Sequence, residues 1–436
     1  MTTTELELAS KKSMQRRARF GSFVGTTIEW YDFYLYGTAA ALVFPQLFFP
    51  SESALTGTLL ALLTYAAGFV SRPLGGIIMG HFGDRVGRKA MLVTSLLIMG
   101  VATTLIGALP THQAIGMGAP LLLLTLRIIQ GIGLGGEWGG AVLVAVEHAP
   151  EEKRGLFGAW PQVGAPVGLL LANGVFTTLN FTLTEEAFMA WGWRVGFLSS
   201  AVLIVVGLVI RLKMEETPDF KKVQEHGKVA RFPLVQVLRR QWRQVLLAIG
   251  IKISQVSLFY ILTVFSLTYV STSLGLPRYV ALIGVLVASG VSLCTTLLSG
   301  WFSDEFGRRR VYLIGAVLSG VFAIPLFFMM DSGSAIIICA AIVIGMIFHD
   351  LMYGPQAAFM TELFEPEHRY TGASLGSQVA STISGGFSPV IAVLLLDMTG
   401  GKGWVIGLFI AALSAVTIAA TFFSPETHRG NRNHTK

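Results

Sequence analysis

Residues 80–89 read GHFGDRVGRK, and residues 300–310 read GWFSDEFGRRR. Each is a short charged turn bounded by glycine, and each lies between long apolar runs. Two further pairs of segments repeat in the same order: EHAPEEKRG (147–155) with ELFEPEHRYTG (362–372), and EETPDF (215–220) with SPETHRG (424–430). Because the members of all three pairs are about 210 to 220 positions apart, the sequence predicts two equivalent halves in the same orientation.

The composition places the chain in a lipid bilayer. Of its 436 residues 53% are hydrophobic and 13% charged, with a mean hydropathy of +0.65, whereas soluble domains carry about 25% charged residues. A helix needs about 20 apolar residues to cross the hydrocarbon core. Twelve spans meet this requirement: 20–44, 56–79, 90–109, 119–146, 155–180, 190–212, 243–272, 278–300, 310–330, 334–360, 369–397 and 403–423.

The repeats and the spans together predict an all-α polytopic membrane protein with twelve transmembrane helices in two pseudo-symmetric six-helix bundles. We expect an N-terminal bundle over 1–212, a cytoplasmic linker over 213–242, and a C-terminal bundle with a short cytoplasmic tail over 243–436. Parallel halves related by an axis along the membrane normal are typical of secondary transporters, whose substrate site lies between the halves near the midplane.

The distribution of cationic residues predicts the orientation. Of the 32 lysines and arginines, 26 fall in the termini and in alternate connections, against three in the intervening loops. Cationic loops stay in the cytoplasm, so we expect both termini and the linker to be cytoplasmic in a plasma membrane, the inner membrane of a bacterium. The formal net charge of +7 therefore reflects topology, and no nucleic-acid partner is needed to explain it.

Particular segments carry a family resemblance. GHFGDRVGRK and its copy GWFSDEFGRRR resemble the signature turns of the major facilitator superfamily, and GTTIEWYDFYLYG (25–37), LRIIQGIGLGGEWGG (126–140) and EETPDF resemble its metabolite:proton symporter family. The resemblance implies alternating access, a central cavity, and import of a small organic acid, shikimate or a related carboxylate, with protons. It also implies that the two turns act as a conformational latch on the cytoplasmic side.

The latch candidates are the glycines, which allow backbones to crowd, and the charges beside them. Asp84 could hydrogen-bond free N–H groups at a neighbouring helix N-terminus. Solvated turn charges that merely obey the positive-inside rule are the alternative. The candidates are Gly80, Gly83, Asp84, Arg85, Gly87 and Arg88 in the first turn and Asp304, Gly307 and Arg308 in the second.

Ionisable residues inside transmembrane spans are rare and are functional candidates by default. Here they are Glu29, Asp32, Arg72, Arg127, Glu137, Lys252, His349 and Asp350. We predict Asp32 as the coupling acid, paired with Arg127 until it is protonated, with Glu29 and His349 as alternatives. Arg72 lies close to the first turn, where snorkelling or a structural pair is the expected role.

Substrate-binding candidates follow from charge and helical spacing. Two intramembrane cations, Arg127 and Lys252, favour an anionic group. Polar and aromatic side chains on the same faces add Gln130, Tyr36, Gln255, Tyr353 and Gln378. Some of these pairs could instead only hold helices together. We expect an anionic small molecule and protons as ligands, the bilayer as environment, and a monomer.

Other functions find little support. Gly131, Gly133 and Gly136 match a dinucleotide-binding fingerprint, but no strand precedes them. The spacing of Gly131, Gly135 and Gly139 instead favours close packing of one helix on another through small residues. With no phosphate loop or metal-ligand spacing, we predict no cofactor and no enzyme activity, with the proton gradient as driving force. The alternatives left open are symport of a zwitterionic osmolyte such as proline or betaine, an exporter, a channel and a membrane enzyme.

Overall fold

The computed structural model describes residues 3–50, 53–86, 88–135, 142, 145–146, 149–212, 233–365 and 369–428, with side chains for all of these except 3–22, 80–86, 88–89, 92, 233–236 and 370. Almost all of this part of the chain is helical. In hydrocarbon every backbone polar group must be hydrogen-bonded within the protein, which only helices and closed barrels achieve.

Twelve main helices follow the predicted spans. In the first half they are α1 (Thr3–Leu42), α2 (Ala54–Val70 continued by Arg72–Val86), α3 (Arg88–Ala108), α4 (Gly118–Leu134), α5 (Arg154–Thr182) and α6 (Trp193–Leu212). In the second half they are α7 (Trp242–Tyr260, continued to Ser273), α8 (Arg278–Phe306), α9 (Arg308–Met330), α10 (Ala335–Glu362), α11 (Arg369–Ala380 continued by Phe387–Met398) and α12 (Trp404–Phe423). Within the described residues, nine helical segments are long and apolar enough to cross a membrane, and Val93–Ala108 and Gly118–Leu134 are shorter apolar helices.

The packing of the helices repeats between the halves. In the first half α3 packs on α6, α2 on α4, and α1 on α5; in the second half α9 packs on α12, α8 on α10, and α7 on α11. Each second-half pair corresponds to a first-half pair shifted by six helices. The predicted architecture of two pseudo-symmetric six-helix bundles is therefore confirmed, while the exact domain limits stay a prediction.

The halves meet where α5 packs against α8 and α10, and where α2 packs against α11. At the second contact α11 is interrupted by a π-helical segment, Ser381–Gly386. A side chain at Gly385 would collide with the rings of Phe69 and Tyr260. Such π-helical turns are frequent at functional sites, and this one lets α11 approach α2 closely.

Glycines allow two further close approaches. A Cβ at Gly131 or Gly135 of α4 would collide with the α2 backbone at Gly68 or Arg72, so the small-residue packing predicted for these two positions is confirmed. Gly139 lies outside the described residues. Gly307 joins α8 to α9 with a φ of 95°, a left-handed conformation that favours glycine.

Candidate functional site

A cavity lies between the two bundles. Its walls come from α1, α2, α4 and α5 of the first half and from α7, α10 and α11 of the second. The charged and polar side chains that face it are Thr26, Glu29, Arg72, Gln162, Lys252, Gln255, His349, Ser377, Gln378 and Ser381. Of the predicted site residues, the cavity thus brings together Glu29, Lys252, Gln255, His349, Tyr353 and Gln378.

Aromatic rings close one end of the cavity, on the side toward which α1 continues to Leu42. The Tyr34 ring lies 5.4 Å from that of Phe259, and the Phe69 ring lies 5.2 Å from that of Tyr260, measured between centroids. All four side chains are buried. Because each pair joins one bundle to the other, the aromatic layer is both a wall of the cavity and a contact between the halves.

Lys252 of α7 and Arg72 of α2 bring two cations to the cavity. The Lys252 ammonium donates a hydrogen bond to the Ser377 hydroxyl of α11. The Arg72 guanidinium lies over two rings, 4.1 Å from the Phe33 centroid and 4.3 Å from the Phe69 centroid. Its Nε and Nη2 are buried and have no partner at hydrogen-bonding geometry among the described residues, and the Tyr260 hydroxyl lies beside the guanidinium.

Of the two roles expected for Arg72, snorkelling or a structural pair, snorkelling is not seen in this conformation. Only 4% of it is exposed, and its guanidinium is directed to the rings and the cavity rather than to the first turn. The aromatic rings explain this orientation, because a guanidinium gains cation–π energy over their faces. Sequence reasoning overlooked Arg72 as a site residue, although GFVSRPLGG (68–76) sets it one turn after Phe69.

Arg127 of α4 does not line the cavity. It is fully buried behind the aromatic layer, 4.0 Å from the Tyr36 ring centroid, and it donates to the Gln130 side-chain oxygen. Gln130 in turn donates to the Thr103 hydroxyl at 2.8 Å, and the Tyr36 hydroxyl donates to Thr64 at 2.7 Å. In this conformation Arg127, Gln130 and Tyr36 are buried and do not reach the cavity, and the Nε and Nη2 atoms of Arg127 have no hydrogen-bond partner among the described residues.

Asp32 is also buried away from the cavity. Its Oδ1 accepts a hydrogen bond of 2.5 Å from the Ser200 hydroxyl of α6, and its Oδ2 has no partner among the described residues. The Thr103 hydroxyl lies beside the carboxylate. The predicted ion pair with Arg127 is not formed in this conformation; instead Gln130 and Thr103 lie between the two groups.

Glu29 faces the cavity, but its carboxylate is paired with an arginine of α6. Arg211, at the end of α6, places its Nη2 2.5 Å from Glu29 Oε1, and both side chains are buried. Arg211 is not among the ionisable residues of the spans singled out from the sequence, and this pair is not predicted. The available signal was its position inside the apolar run VVGLVIRLKM (205–214), with the small residue Gly25 on α1 leaving space for it.

His349 and Asp350 form a buried pair on α10. The imidazole Nδ1 lies 2.9 Å from Asp350 Oδ1, and Thr295 of α8 donates to the other carboxylate oxygen. The imidazole Nε2 lies 2.5 Å from the Gln255 amide nitrogen. Among the described residues Lys252 makes no hydrogen bond with His349 or Asp350, whose polar groups contact each other, Gln255 and Thr295.

Other amides link the two bundles across the cavity. Gln378 of α11 donates to the Gly135 carbonyl at 3.3 Å, and Gln162 of α5 donates to the Tyr353 carbonyl. Substrate binding at these amides would therefore compete with direct contacts between the halves.

The second charged turn also connects the halves. Asp304 accepts hydrogen bonds of 2.8 Å from the backbone N–H groups of Gly155 and Leu156 at the start of α5, and 2.6 Å from Arg308. These are the helix N-terminal contacts that the sequence suggested for the equivalent Asp84. Gly87 and the side chains of Asp84, Arg85 and Arg88 lie outside the described residues, as does Glu137, so Gly80 and Gly83 are located only as part of the α2 backbone.

Comparison with known proteins gives consistent matches over most of the chain. A family model described as sugar (and other) transporter matches residues 19–232, and one described as major facilitator superfamily matches residues 247–436. The inner membrane metabolite transport protein YhjE of Escherichia coli K12 is 44% identical, covering 93% of both chains. The shikimate transporter of the same organism is 43% identical, covering 93% of this chain and 94% of that protein.

More distant matches extend the comparison. The proline/betaine transporter of Escherichia coli K12 is 31% identical over 88% of this chain and 78% of its own length. The solved structure of the proton:xylose symporter XylE bound to 6-bromo-6-deoxy-D-glucose superimposes with a TM-score of 0.74 at 17% identity, covering 95% of this chain and 97% of that one. At that identity the structural likeness shows the fold.

Proposed function

Because this chain belongs to the major facilitator superfamily and is a multi-pass membrane transporter rather than an enzyme, we propose that it imports a small organic anion together with protons. Shikimate or a related hydroxylated carboxylate is the substrate we favour. The relative named as a shikimate transporter, 43% identical over nearly the whole chain, supports this choice.

The observation that carries the anionic substrate is Arg72. A buried guanidinium with two unbonded nitrogens at the wall of a cavity can take a carboxylate through two parallel hydrogen bonds. Lys252 adds a second positive charge, and Arg211 already neutralises Glu29. The Arg72 charge at the cavity wall favours an anion over a neutral molecule.

The rest of the cavity suits a compact ring with hydroxyl groups. Gln255, Gln378, Ser377 and Ser381 offer neutral donors and acceptors, and aromatic side chains such as Tyr34 and Tyr353 offer flat apolar surface. The second candidate is a zwitterion such as betaine, because aromatic rings also bind quaternary ammonium groups. We favour the acid, since the cavity carboxylate that would receive a cation is bound to Arg211.

Proton coupling is assigned to Asp32, with Arg127 as its partner in another conformation. In our scheme Asp32 and Arg127 pair when the carboxylate is charged, and protonation from outside separates them, leaving Arg127 with Gln130 and the aromatic rings as seen here. The loaded transporter then reopens inward, and loss of the proton restores the pair. By this scheme the aromatic layer faces outside, and both termini and the Asp304 turn face the cytoplasm.

The test is uptake into proteoliposomes containing the purified protein, with labelled shikimate, a panel of small carboxylates, proline, betaine and xylose. We expect saturable accumulation of one or more carboxylates that increases when the outside is acidified and disappears with a protonophore. Accumulation confined to betaine or proline would refute the anionic substrate. Uptake that does not depend on the proton gradient would refute symport.

A further inference from the structure

His349 begins a chain of buried hydrogen bonds that the scheme above does not use. Its Nδ1 faces a carboxylate oxygen of Asp350 at 2.9 Å, and its Nε2 faces the Gln255 amide nitrogen at 2.5 Å. A carboxylate accepts and an amide nitrogen donates. The imidazole is therefore neutral in this arrangement, with its hydrogen on Nδ1 and its lone pair on Nε2.

The chain continues through a second glutamine to α9. The Gln255 oxygen accepts from the Gln356 amide nitrogen at 2.9 Å, and the same nitrogen lies 3.1 Å from the Tyr312 hydroxyl. Tyr312 donates to the Ile251 carbonyl of α7 at 3.1 Å. The Gln356 oxygen is buried with no partner among the described residues. The Gln356 amide nitrogen therefore donates both toward His349, through Gln255, and toward Tyr312.

We propose that His349 and Asp350 form a second proton-binding site, and that Gln255 and Gln356 transmit its protonation state to Tyr312. This site rests on the proposed function, because it adds a second acid–base group to a proton-driven cycle. The ligand is a proton entering from the cavity, which His349 lines. No proton needs to travel along the chain; only the direction of its hydrogen bonds changes.

Protonation at Nε2 would set an imidazole N–H against the Gln255 N–H. Gln255 must then turn its amide so that its oxygen accepts from the imidazolium, and its nitrogen now faces Gln356. Gln356 responds in the same way, and its previously unbonded oxygen accepts from Gln255 and from the Tyr312 hydroxyl. The links between His349, Gln255, Gln356 and Tyr312 persist in both directions, and the hydrogen bond given up is the one from Tyr312 to the Ile251 carbonyl.

The charges around the imidazole connect the site to the substrate. On α10 Asp350 favours an imidazolium and the Tyr353 ring stacks on it at 5.2 Å, while α8 contributes the hydroxyl of Thr295, which binds Asp350. From α7 and α2 the cations Lys252 and Arg72 line the same cavity and oppose a further positive charge, and Glu29 of α1 is held by Arg211. A bound carboxylate would screen those cations, so anion and proton should each strengthen the binding of the other.

The far end of the chain lies at a helix contact. When Tyr312 turns to Gln356, the Ile251 carbonyl loses its donor from α9. Ile251 directly precedes Lys252 on α7. Proton binding would therefore weaken the contact between α7 and α9 next to Lys252, the residue proposed to bind the substrate carboxylate. Tyr312, Gln255 and Gln356 are thus positioning residues, because they act through the imidazole and the helix contact.

The first experiment measures the tautomer of His349 without any substrate. The protein, labelled with ¹⁵N-histidine and held in lipid nanodiscs, gives imidazole signals from its eight histidines, and the His349 signal is the one missing in His349→Gln. We expect the neutral form to carry hydrogen on Nδ1 and the acid form to carry hydrogen on both nitrogens. A neutral form with hydrogen on Nε2, or a ring that takes up no second proton when the sample is acidified, would overturn the site.

The second experiment tests the chain itself. Gln356→Glu places an acceptor next to Gln255, which must then turn its oxygen to His349 and favour the imidazolium. We expect His349 to bind its second proton roughly tenfold more tightly in this variant, about one pH unit in the titration midpoint. In the Gln255→Met background, Gln356→Glu should strengthen the binding of this proton by less than about threefold, because only the direct electrostatic attraction of the new carboxylate remains.

Equal effects in the two backgrounds would refute the relay. Since both measurements need neither substrate nor transport, they can fail while carboxylate uptake succeeds, or succeed while the proposed substrate proves wrong.

Discussion

The Ser200 hydroxyl donates a 2.5 Å hydrogen bond to Asp32 and ties α6 to α1 at the proposed proton site. Asp32 is fully buried, and Arg127 contacts Gln130 instead of the carboxylate. A switch between this arrangement and an Asp32–Arg127 ion pair would move α1 relative to α4. The proposed coupling acid thus lies away from the cavity, at a contact between helices of the first bundle.

Asp32→Asn is expected to abolish accumulation of substrate against a gradient while preserving exchange of substrate across the membrane. The amide keeps the shape and the contact with Ser200 but cannot release a proton. Uptake driven by an imposed pH gradient, compared with counterflow at equal pH, measures the two activities. Asp397→Asn on the exposed end of α11 is the matched control, and normal concentrative uptake by Asp32→Asn would exclude Asp32 as the coupling acid.

Arg72→Gln is expected to raise KM for the carboxylate by roughly ten- to a hundredfold, the value of a charge-assisted hydrogen bond. Arg72→Lys should recover only part of the loss, because an ammonium lacks the bidentate fork. Concentration dependence of proteoliposome uptake gives both numbers, and Arg310→Gln at an exposed position of α9 is the control. If Arg127→Gln raised KM and Arg72→Gln did not, the substrate carboxylate would bind to Arg127 and not to Arg72.

Lys252→Gln should also weaken carboxylate binding, since its ammonium faces the cavity beside Ser377. Glutamine can still bond to Ser377, so the variant removes the charge and keeps the helix contact. Equilibrium binding of the labelled acid to the detergent-solubilised protein gives the affinity. An unchanged affinity would mean that Lys252 serves only to join α7 to α11.

The fold follows from the sequence because a bilayer restricts the backbone to conformations that satisfy all of its hydrogen bonds. Apolar runs must be helices, and the duplicated turns at Gly80 and Gly300 fix the relation between the halves. Helical spacing also identifies which polar residues reach the cavity, as for Lys252 and Gln255 on α7.

Pairing across helices does not follow from spacing. Spacing along α6 does not predict that Arg211 lies beside Glu29. Spacing along α4 predicts that Arg127 faces the cavity, whereas the Tyr36 ring covers it. Both outcomes depend on the rotation of one helix against another and on the bulk of intervening rings. No periodicity within a single helix contains that information.

Asp304→Asn is expected to open the Asp304 turn, because the anion loses its charge next to the α5 N-terminus. A loss of about 1–3 kcal/mol shifts the closed-to-open ratio by roughly 5- to 150-fold. A reporter is Val146→Cys, buried against Ala357 of α10, in a chain with Cys294→Ser and Cys339→Ser. Alkylation by a maleimide should accelerate with Asp304→Asn but not with the exposed neighbour Glu305→Gln; equal rates would exclude the latch.

Arg211→Gln is expected to widen the specificity of the cavity toward zwitterions. Without its partner, the Glu29 carboxylate faces the cavity as a buried, uncompensated anion, which costs several kcal/mol. A ligand that carries a cation can offset that cost, while its own carboxylate occupies Arg72. Betaine at millimolar concentration should therefore raise the Tm of Arg211→Gln well above its effect on the unchanged protein.

The double variant Glu29→Gln/Arg211→Gln is the matched control, because it removes both charges and keeps the shape of the pair. It should be more stable than Arg211→Gln alone and should not respond to betaine, whereas it should still bind the carboxylate at Arg72. If betaine stabilised the single and the double variant equally, its effect would be that of a general osmolyte. The pair of Glu29 with Arg211 would then have no part in choosing between acids and zwitterions.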